Sequence, residues 1–162
     1  MAFVRKDLLS RLDALGIVTT TVDHPAVFTV EEAKRLRGNL LGAHTKNLFL
    51  KDKKNRLWLV VALEDRDLDL KALRKEIGAA QLSFGKPDLL SKILGLEPGS
   101  VTPFGVINDT DGQVTVVLDK GLLKFEVLNF HPLTNTATTQ ISPEGLLAFL
   151  SDTKHQPKII AL

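Results

Sequence analysis

The sequence of 162 residues contains no cysteine, no long apolar run and no large excess of either charge. Without cysteine there can be no disulfide, no thiolate nucleophile and no zinc site built on sulfur. No apolar run approaches the roughly 20 residues that cross a bilayer, and residues 1–7 carry charges where a signal sequence would be apolar. These absences predict a cytoplasmic protein that has no contact with a membrane.

Charge and composition exclude further classes of protein. The 21 Lys and Arg residues exceed the 19 Asp and Glu residues by only two, which is too little for a protein that coats nucleic acid but leaves room for a local basic patch. The 44% hydrophobic content is too high for a disordered chain. The length suits one domain spanning residues 1–162.

Motifs of several common enzymes are missing. The sequence has no G-x-G-x-x-G after a strand and no G-x-x-x-x-G-K-[ST], so a nucleotide phosphate loop is not supported. It also has no G-x-S-x-G and no H-E-x-x-H. Because the four histidines are scattered, at positions 24, 44, 131 and 155, we predict neither a metal site nor a cofactor.

Hydrophobic periodicity and capping signals predict the elements of secondary structure. Serine and proline at 142 and 143 should begin the last helix, and glycines at 16, 38, 78 and 95 should end earlier helices. Helices are predicted at 4–15, 29–37, 70–77, 87–94 and from 143. Strands are predicted at 17–22, 45–51, 56–63, 114–118, 125–130, 136–141 and within 154–162, and residues 95–105 are predicted to be a loop.

This order of elements predicts the fold class. Strands do not alternate regularly with helices, which excludes a doubly wound fold. We therefore expect a single α/β (α+β) domain with a mixed, mostly antiparallel and partly barrel-like sheet, and with helices packed around it.

Three segments have the composition of a site, and each also has a structural interpretation. Lys46 and Asn47 begin a strand, where a lysine can bind a phosphate or an oxyanion, or can simply keep an edge strand soluble. The Pro- and Gly-rich loop Gly95–Gly105 is rigid enough to form a small pocket, and is equally typical of a well-built connection. The segment Asn129–Thr138 offers a histidine, amides and hydroxyls, which are also common in turns.

Four segments together resemble one known family. They are Asp23–Ala33, Lys46–Leu50, Gly99–Gly105 and Phe130–Ala137, and they occur in the right order over nearly the whole chain. They resemble the YbaK/ProX family of trans-editing aminoacyl-tRNA deacylases. The Gly-x-x-x-Pro loop and the Phe-His-Pro-Leu-Thr-Asn run resemble the free-standing branch that removes alanine from prolyl-tRNA.

The resemblance implies an activity and a set of site residues. Members hydrolyse the ester between a wrong amino acid and the 3′-terminal ribose of tRNA, with Lys46 holding the backbone phosphate of the CCA end. The loop from Gly99 to Pro103 would shape the pocket for the amino acid, and His131 would support it. We predict that the catalytic residues are Lys46, Asn47 and His131, and that substrate contacts His24, Val30, Gly99, Ser100, Val101, Thr102, Pro103, Thr134 and Asn135. The basic residues of the second helix and of the hairpin tip are candidate contacts to the tRNA backbone, and are equally typical of a solvated helix face and a protected strand edge. They are Lys34, Arg35, Arg37, Lys51, Lys53 and Lys54.

The residues are compatible with this chemistry but leave alternatives open. An aminoacyl ester is intrinsically reactive, so positioning a water and the ribose hydroxyls suffices without a protein nucleophile. The substrate could instead be Cys- or Ser-charged tRNA, or the chain could be a non-catalytic nucleic-acid-binding or regulatory module. The partners implied are the tRNA acceptor end and, as open alternatives, prolyl-tRNA synthetase or an elongation factor; DNA and membranes are not expected.

Overall fold

The computed structural model describes residues 2–26 and 42–162. Within them the helix ends follow local chemistry: the hydroxyl of Ser142 accepts a hydrogen bond from the N–H of Gly145, and Gly95 ends a helix with φ of 65°. The α-helices are α1 (Arg5–Ala14), α2 (Leu70–Ile77), α3 (Pro87–Leu94) and α4 (Pro143–Asp152). Two 3₁₀ helices lie at Pro103–Asn108 and Lys120–Lys124.

The strands form one mixed sheet, in the order β1-β7-β6-β2-β3-β5-β8, with β4 pairing β2 beside that path. Pairs β1–β7, β6–β7, β2–β3 and β2–β4 are antiparallel, while β2–β6, β3–β5 and β5–β8 are parallel. This confirms the mixed, mostly antiparallel sheet with helices around it. The strands are β1 (Thr19–Asp23), β2 (Ala43–Asp52), β3 (Leu57–Leu63), β4 (Leu82–Phe84), β5 (Val114–Asp119), β6 (Leu128–Phe130), β7 (Ala137–Ile141) and β8 (Lys158–Ile160).

Helices cover both faces of the central strands, so successive residues of β2 and β3 enter two different cores. The larger core joins one face to α1, α3, α4 and the first 3₁₀ helix, with Phe104 and Phe149 fully buried in it. The smaller core joins the other face to α2 through Leu73 and Ile77. Because residues alternate across a strand, each β2 side chain has a defined face.

The predicted strands 17–22 and 45–51 are shifted or extended by about two residues in the structure. Larger differences occur in three places. β4 was not predicted, because its three residues are too short to show a period. The predicted loop 95–105 runs into a 3₁₀ helix at Pro103, where the hydroxyl of Thr102 accepts from the N–H of Phe104. β6 begins at residue 128 rather than 125, because the N–H of Phe125 is used to close the second 3₁₀ helix on Leu122. The predicted helix 29–37 lies outside the described residues.

Candidate functional site

Within the described residues, the sheet has an opening beside one edge of β2. On this edge β6 pairs with Ala43 and His44, and β4 pairs with Leu50–Asp52. Between these two pairings, no strand in the described part of the chain pairs with residues 46–48. The opening was not predicted, because it exists only where β4 and β6 meet the same strand from opposite ends.

The backbone of Asn47 faces this opening. The carbonyl of Phe49 accepts from the N–H of Gly85 on the β4 side, whereas the carbonyl of His44 accepts from Glu64 on the β3 side. Backbone groups of successive residues point to opposite edges of a strand. The N–H and C=O of Asn47 therefore point into the opening, where they can bind a ligand that lies along the edge.

Lys46 and Asn47 project from opposite faces of β2. Leu48 and Leu50 belong with the smaller core, while Phe49 belongs to the larger one. Alternation therefore places the Lys46 side chain on the face of the smaller core and the Asn47 side chain on the face of the larger one. Lys46 is half-buried and forms no ion pair with any residue that the structure describes.

The side-chain amide of Asn47 is held by a short hydrogen-bonded chain. Its Nδ2 donates to Oγ1 of Thr45 at 3.3 Å, and that hydroxyl donates to the carbonyl of Asn129 at 3.0 Å. The Oδ1 atom of Asn47 is buried and has no hydrogen-bond partner among the described residues. A buried acceptor of this kind can receive a hydrogen bond from a hydroxyl or an ammonium group of a ligand.

Two histidines meet where β1 and β6 end and β7 begins. The ring centroids of His24 and His131 are 6.3 Å apart in an edge-to-face arrangement. Nε2 of His24 lies 2.8 Å from the hydroxyl of Thr138, and Nδ1 lies 2.8 Å from the carbonyl of Pro25. His131 follows the last residue of β6, and its Nδ1 lies 3.0 Å from the carbonyl of Ala137.

These contacts determine the state of the His131 ring. A carbonyl can only accept, so Nδ1 carries the proton and donates it to Ala137. Burial lowers the pKa of His131 below the ordinary 6.5, and positive charge on His24 lowers it further, although the bond to Ala137 opposes both effects. The ring is therefore neutral at pH 7, and Nε2 is left as a hydrogen-bond acceptor.

The loop 99–103 lies beside the same strand end. Ser100 and Thr102 are buried, and both the N–H and the hydroxyl of Ser100 donate to the carbonyl of Glu97. Next to this loop, the ring of Phe104 packs against that of Phe130 with a centroid distance of 5.8 Å. Since Phe104 follows the loop and Phe130 directly precedes His131, this contact joins the end of the loop to the end of β6.

The predicted site residues therefore fall into three groups. Lys46, Asn47 and His131 lie just beyond the same end of the β2–β6 pairing, because Lys46 and His131 are each two residues past its last pair, His44 with Asn129. The loop Gly99–Pro103 and the polar segment with Thr134 and Asn135 adjoin that end through Phe104 and through His131 itself. Lys51, Lys53 and Lys54 lie at the other end of β2 and in the turn that follows it; Val30, Lys34, Arg35 and Arg37 lie outside the described residues.

Sequence reasoning missed the supporting residues. Thr45 and Thr138 hold Asn47 and His24 in place, and single threonines give no signal of such a role.

Residues 2–26 and 42–162 contain no group of three His, Asp or Glu side chains that could hold a metal ion. They also contain no helix that is both long and apolar enough to cross a bilayer.

Comparison with known proteins places these features in a family. Residues 24–149 match the aminoacyl-tRNA editing domain. The chain is 44% identical over 160 residues to prolyl-tRNA synthetase associated domain-containing protein 1 of Danio rerio, covering 98% of this chain and 87% of that protein. It is 41% identical over 143 residues to the prolyl-tRNA editing protein ProX of Acetoanaerobium sticklandii, covering 88% and 87%.

Solved structures agree with this at the level of the fold. A crystal structure described as a candidate trans-editing enzyme for prolyl tRNA synthetase superposes with a TM-score of 0.74 at 23% identity, covering 99% of this chain and 98% of that one. The family match includes Lys46, Asn47, the 99–103 loop and His131, so it covers every described part of the candidate site. This chain belongs to the aminoacyl-tRNA editing domain family, and its relatives include ProX.

Proposed function

We propose that the protein hydrolyses the ester of mischarged tRNA(Pro), with Ala-tRNA(Pro) as its main substrate. The observation that carries the proposal is the position of Lys46, which is half-buried and forms no ion pair with any described residue. It lies on the edge of β2 at the same end of the β2–β6 pairing as His131. A cation held at such a position suits a phosphate group. The relatives named for prolyl-tRNA editing and for association with prolyl-tRNA synthetase support the choice of tRNA.

Each part of the site then has a task. Lys46 binds a backbone phosphate of the CCA end, while the loop Gly99–Pro103 limits the size of the amino-acid pocket. The acceptor Oδ1 of Asn47 and the acceptor Nε2 of His131 orient donors of the substrate, such as the ribose hydroxyls, or the attacking water. None of these side chains has to act as a nucleophile.

The reaction needs only water and correct positioning. Water adds to the ester carbonyl carbon, and backbone N–H groups of the 99–102 loop other than that of Ser100, which is bonded to Glu97, stabilise the negative charge that develops on oxygen. The bond to the ribose oxygen then breaks, and this oxygen leaves with the proton that the water gives up. The products are the free amino acid and tRNA with an intact terminal ribose.

Selectivity for alanine follows from the limits of a proline pocket. A synthetase pocket that accepts proline rejects a smaller amino acid only weakly, because each missing methylene costs about 1–3 kcal/mol. A second pocket that admits alanine and excludes proline by size corrects this error. The rigid, buried loop at Ser100 and Thr102 has the properties that such a size limit requires.

The first experiment follows ester loss from four substrates. Purified protein is mixed with tRNA(Pro) carrying alanine, cysteine, serine or proline, together with Lys46→Ala and, as a matched lysine control, Lys71→Ala on the exposed side of α2. We expect alanine alone to be released, and Lys46→Ala to slow release roughly 100-fold or more while its thermal unfolding stays that of the wild type.

The alternatives have distinct outcomes. Release of cysteine or serine would keep the activity and change the substrate. Full activity of Lys46→Ala would contradict the role given to Lys46. No release from any of the four substrates would contradict the enzymatic function and favour a binding module.

A further inference from the structure

A positively charged cleft lies at the opposite end of β2 from Lys46. It is formed by the end of β2 and the turn after it, by β4 and by α3, and has a volume of about 570 Å³. Four lysines and one aromatic ring line it: Lys51, Lys53, Lys86, Lys92 and Phe84. We call this the lysine cleft.

The carboxylates that line the lysine cleft do not neutralise its positive charge. None of its four lysines forms an ion pair inside the described ranges. Two carboxylates also line it, but that of Asp52 is buried and already paired with the guanidinium of Arg56 at 2.8 Å. Only Asp88 then opposes four ammonium groups, so the cleft attracts anions.

The aromatic ring in the cleft, that of Phe84, is largely exposed to solvent. Phe84 is 62% exposed, more than any other aromatic side chain in the described ranges. Its backbone is held firmly, because the N–H of the next residue, Gly85, donates to the carbonyl of Phe49 at 2.9 Å. Gly85 lies so close to the Phe49 ring that an added Cβ would be 2.3 Å from it, so only glycine fits there.

Lysines around an exposed aromatic ring are typical of a surface that binds an RNA strand. The ammonium groups can bind backbone phosphates whatever the base sequence of the RNA. A base can stack on the ring, as in single-strand binding proteins. An acidic protein surface could form ion pairs with the lysines, but its carboxylates would not interact favourably with the exposed ring. The chemistry of the cleft therefore favours nucleic acid over an acidic protein.

The position of the lysine cleft relates it to the candidate active site. Lys46 and Lys51 are five residues apart on one strand, which corresponds to about 17 Å at roughly 3.3 Å per residue. A stacked nucleic-acid strand rises about 3.4 Å per nucleotide, so this distance spans about five nucleotides. With a phosphate of the CCA end at Lys46, the cleft lies near the point where the unpaired 3′ end of tRNA joins the acceptor stem.

We propose that the lysine cleft binds the RNA backbone of the substrate tRNA about five nucleotides from the phosphate held by Lys46, with a base against Phe84. The proposal rests on the proposed function, because that function places a phosphate of the CCA end at Lys46. It predicts that the cleft contributes to tRNA binding and takes no part in the hydrolysis itself.

The test compares long and short substrates. Phe84→Ala and the double variant Lys86→Ala/Lys92→Ala are measured on aminoacyl-tRNA and on an aminoacylated CCA trinucleotide, which is too short to reach the cleft. The matched control is Lys71→Ala/Lys75→Ala, which removes two exposed lysines from α2. Binding of uncharged tRNA, followed by fluorescence anisotropy at several salt concentrations, gives a readout independent of hydrolysis.

We expect Phe84→Ala to raise KM for aminoacyl-tRNA roughly fivefold or more, with kcat unchanged and with no effect on the trinucleotide. The double lysine variant should weaken tRNA binding several-fold and reduce the salt slope by about one unit per lost phosphate contact. The α2 control should match the wild type in every assay.

Two results would overturn the proposal. The first is that both cleft variants bind tRNA as tightly as the control and have the same KM. The cleft would then not bind RNA, and an acidic protein would be the better candidate partner. The other is an equal loss on the trinucleotide, which would make the cleft part of the reacting site. If the wild type hydrolyses no substrate, the proposed function fails, and the anisotropy of uncharged tRNA still decides whether the cleft binds RNA.

Discussion

At the residue scale, the state of His131 can be tested directly. Its folded pKa lies below 6.5 because the ring is buried and because His24 is near. The unfolded chain therefore binds more protons, and the contribution of His131 to stability is present above pH 6.5 and decreases as the pH falls towards the folded pKa. NMR titration of the imidazole signals should give a midpoint below 6.5 for His131, and His24→Ala should raise it.

The same titration predicts the pH dependence of hydrolysis. The rate should be constant from pH 8 to about 6.5 as far as His131 is concerned, and should fall once the acceptor Nε2 becomes protonated. An NMR midpoint at or above 6.5, or one that does not respond to His24→Ala, would contradict this description of the site.

Single residues also show how far sequence reasoning extends. Lys46, Asn47 and His131 could be identified as candidates from residue type and from the family pattern. That Lys46 and Asn47 project from opposite faces of β2 could not be predicted, because it depends on which core covers each face. The chain that orients Asn47 depends on Asn129, which lies 82 residues further along and becomes a neighbour only through the β2–β6 pairing.

At the scale of secondary structure elements, Asp52 joins the β2–β3 hairpin to the segment before β4. Its carboxylate accepts from the N–H groups of Lys54, Arg56 and Ala80 as well as from the Arg56 guanidinium. Burial alone would raise the pKa of Asp52, but these hydrogen bonds outweigh it and lower the pKa to about 2. The stabilisation is therefore present above pH 3.8 and is lost as the pH falls towards 2.

We expect Asp52→Asn to lower the free energy of unfolding by roughly 2 kcal/mol or more at pH 7, because an amide has one acceptor oxygen and brings its own donors towards buried N–H groups. Urea unfolding measures this. Asp23→Asn is the control, since the Asp23 side chain is 73% exposed beside Arg5 and should hardly move the midpoint. Equal midpoints for the two variants would show that Asp52 does not hold the hairpin.

At the scale of the whole molecule, sequence patterns predicted most elements and the class of fold but could not predict their arrangement. Gly78, Gly95, Ser142 and Pro143 mark helix ends through local chemistry, so these bounds follow from a few neighbouring residues. The sheet order depends on pairings between distant strands, such as β1 with β7. The opening beside Asn47 depends on two such pairings at once, which no local pattern records.

A buried pair holds the C-terminal segment to the middle of the chain. Nε2 of His155 lies 2.8 Å from Oδ2 of Asp109, and both side chains are almost fully buried. Asp109 also accepts from the N–H groups of Gln113 and Val114 at the start of β5. The pair therefore connects the segment between α4 and β8 to the segment between the first 3₁₀ helix and β5.

Acid should weaken this connection. Burial favours the neutral carboxyl group of Asp109, but hydrogen bonds from His155, Gln113 and Val114 outweigh it and lower the pKa of Asp109 below 3.8. Its contribution is therefore complete above pH 3.8 and is lost as the pH falls through the lowered value. Asp109→Asn should cost about 3 kcal/mol in urea unfolding at pH 7, with a smaller difference from the wild type at pH 3. The control is Asp152→Asn, which breaks the more exposed pair with Arg11 and should cost at most about 1 kcal/mol. An equal cost for both variants would mean that packing of apolar residues holds the C-terminal segment, and not the Asp109–His155 pair.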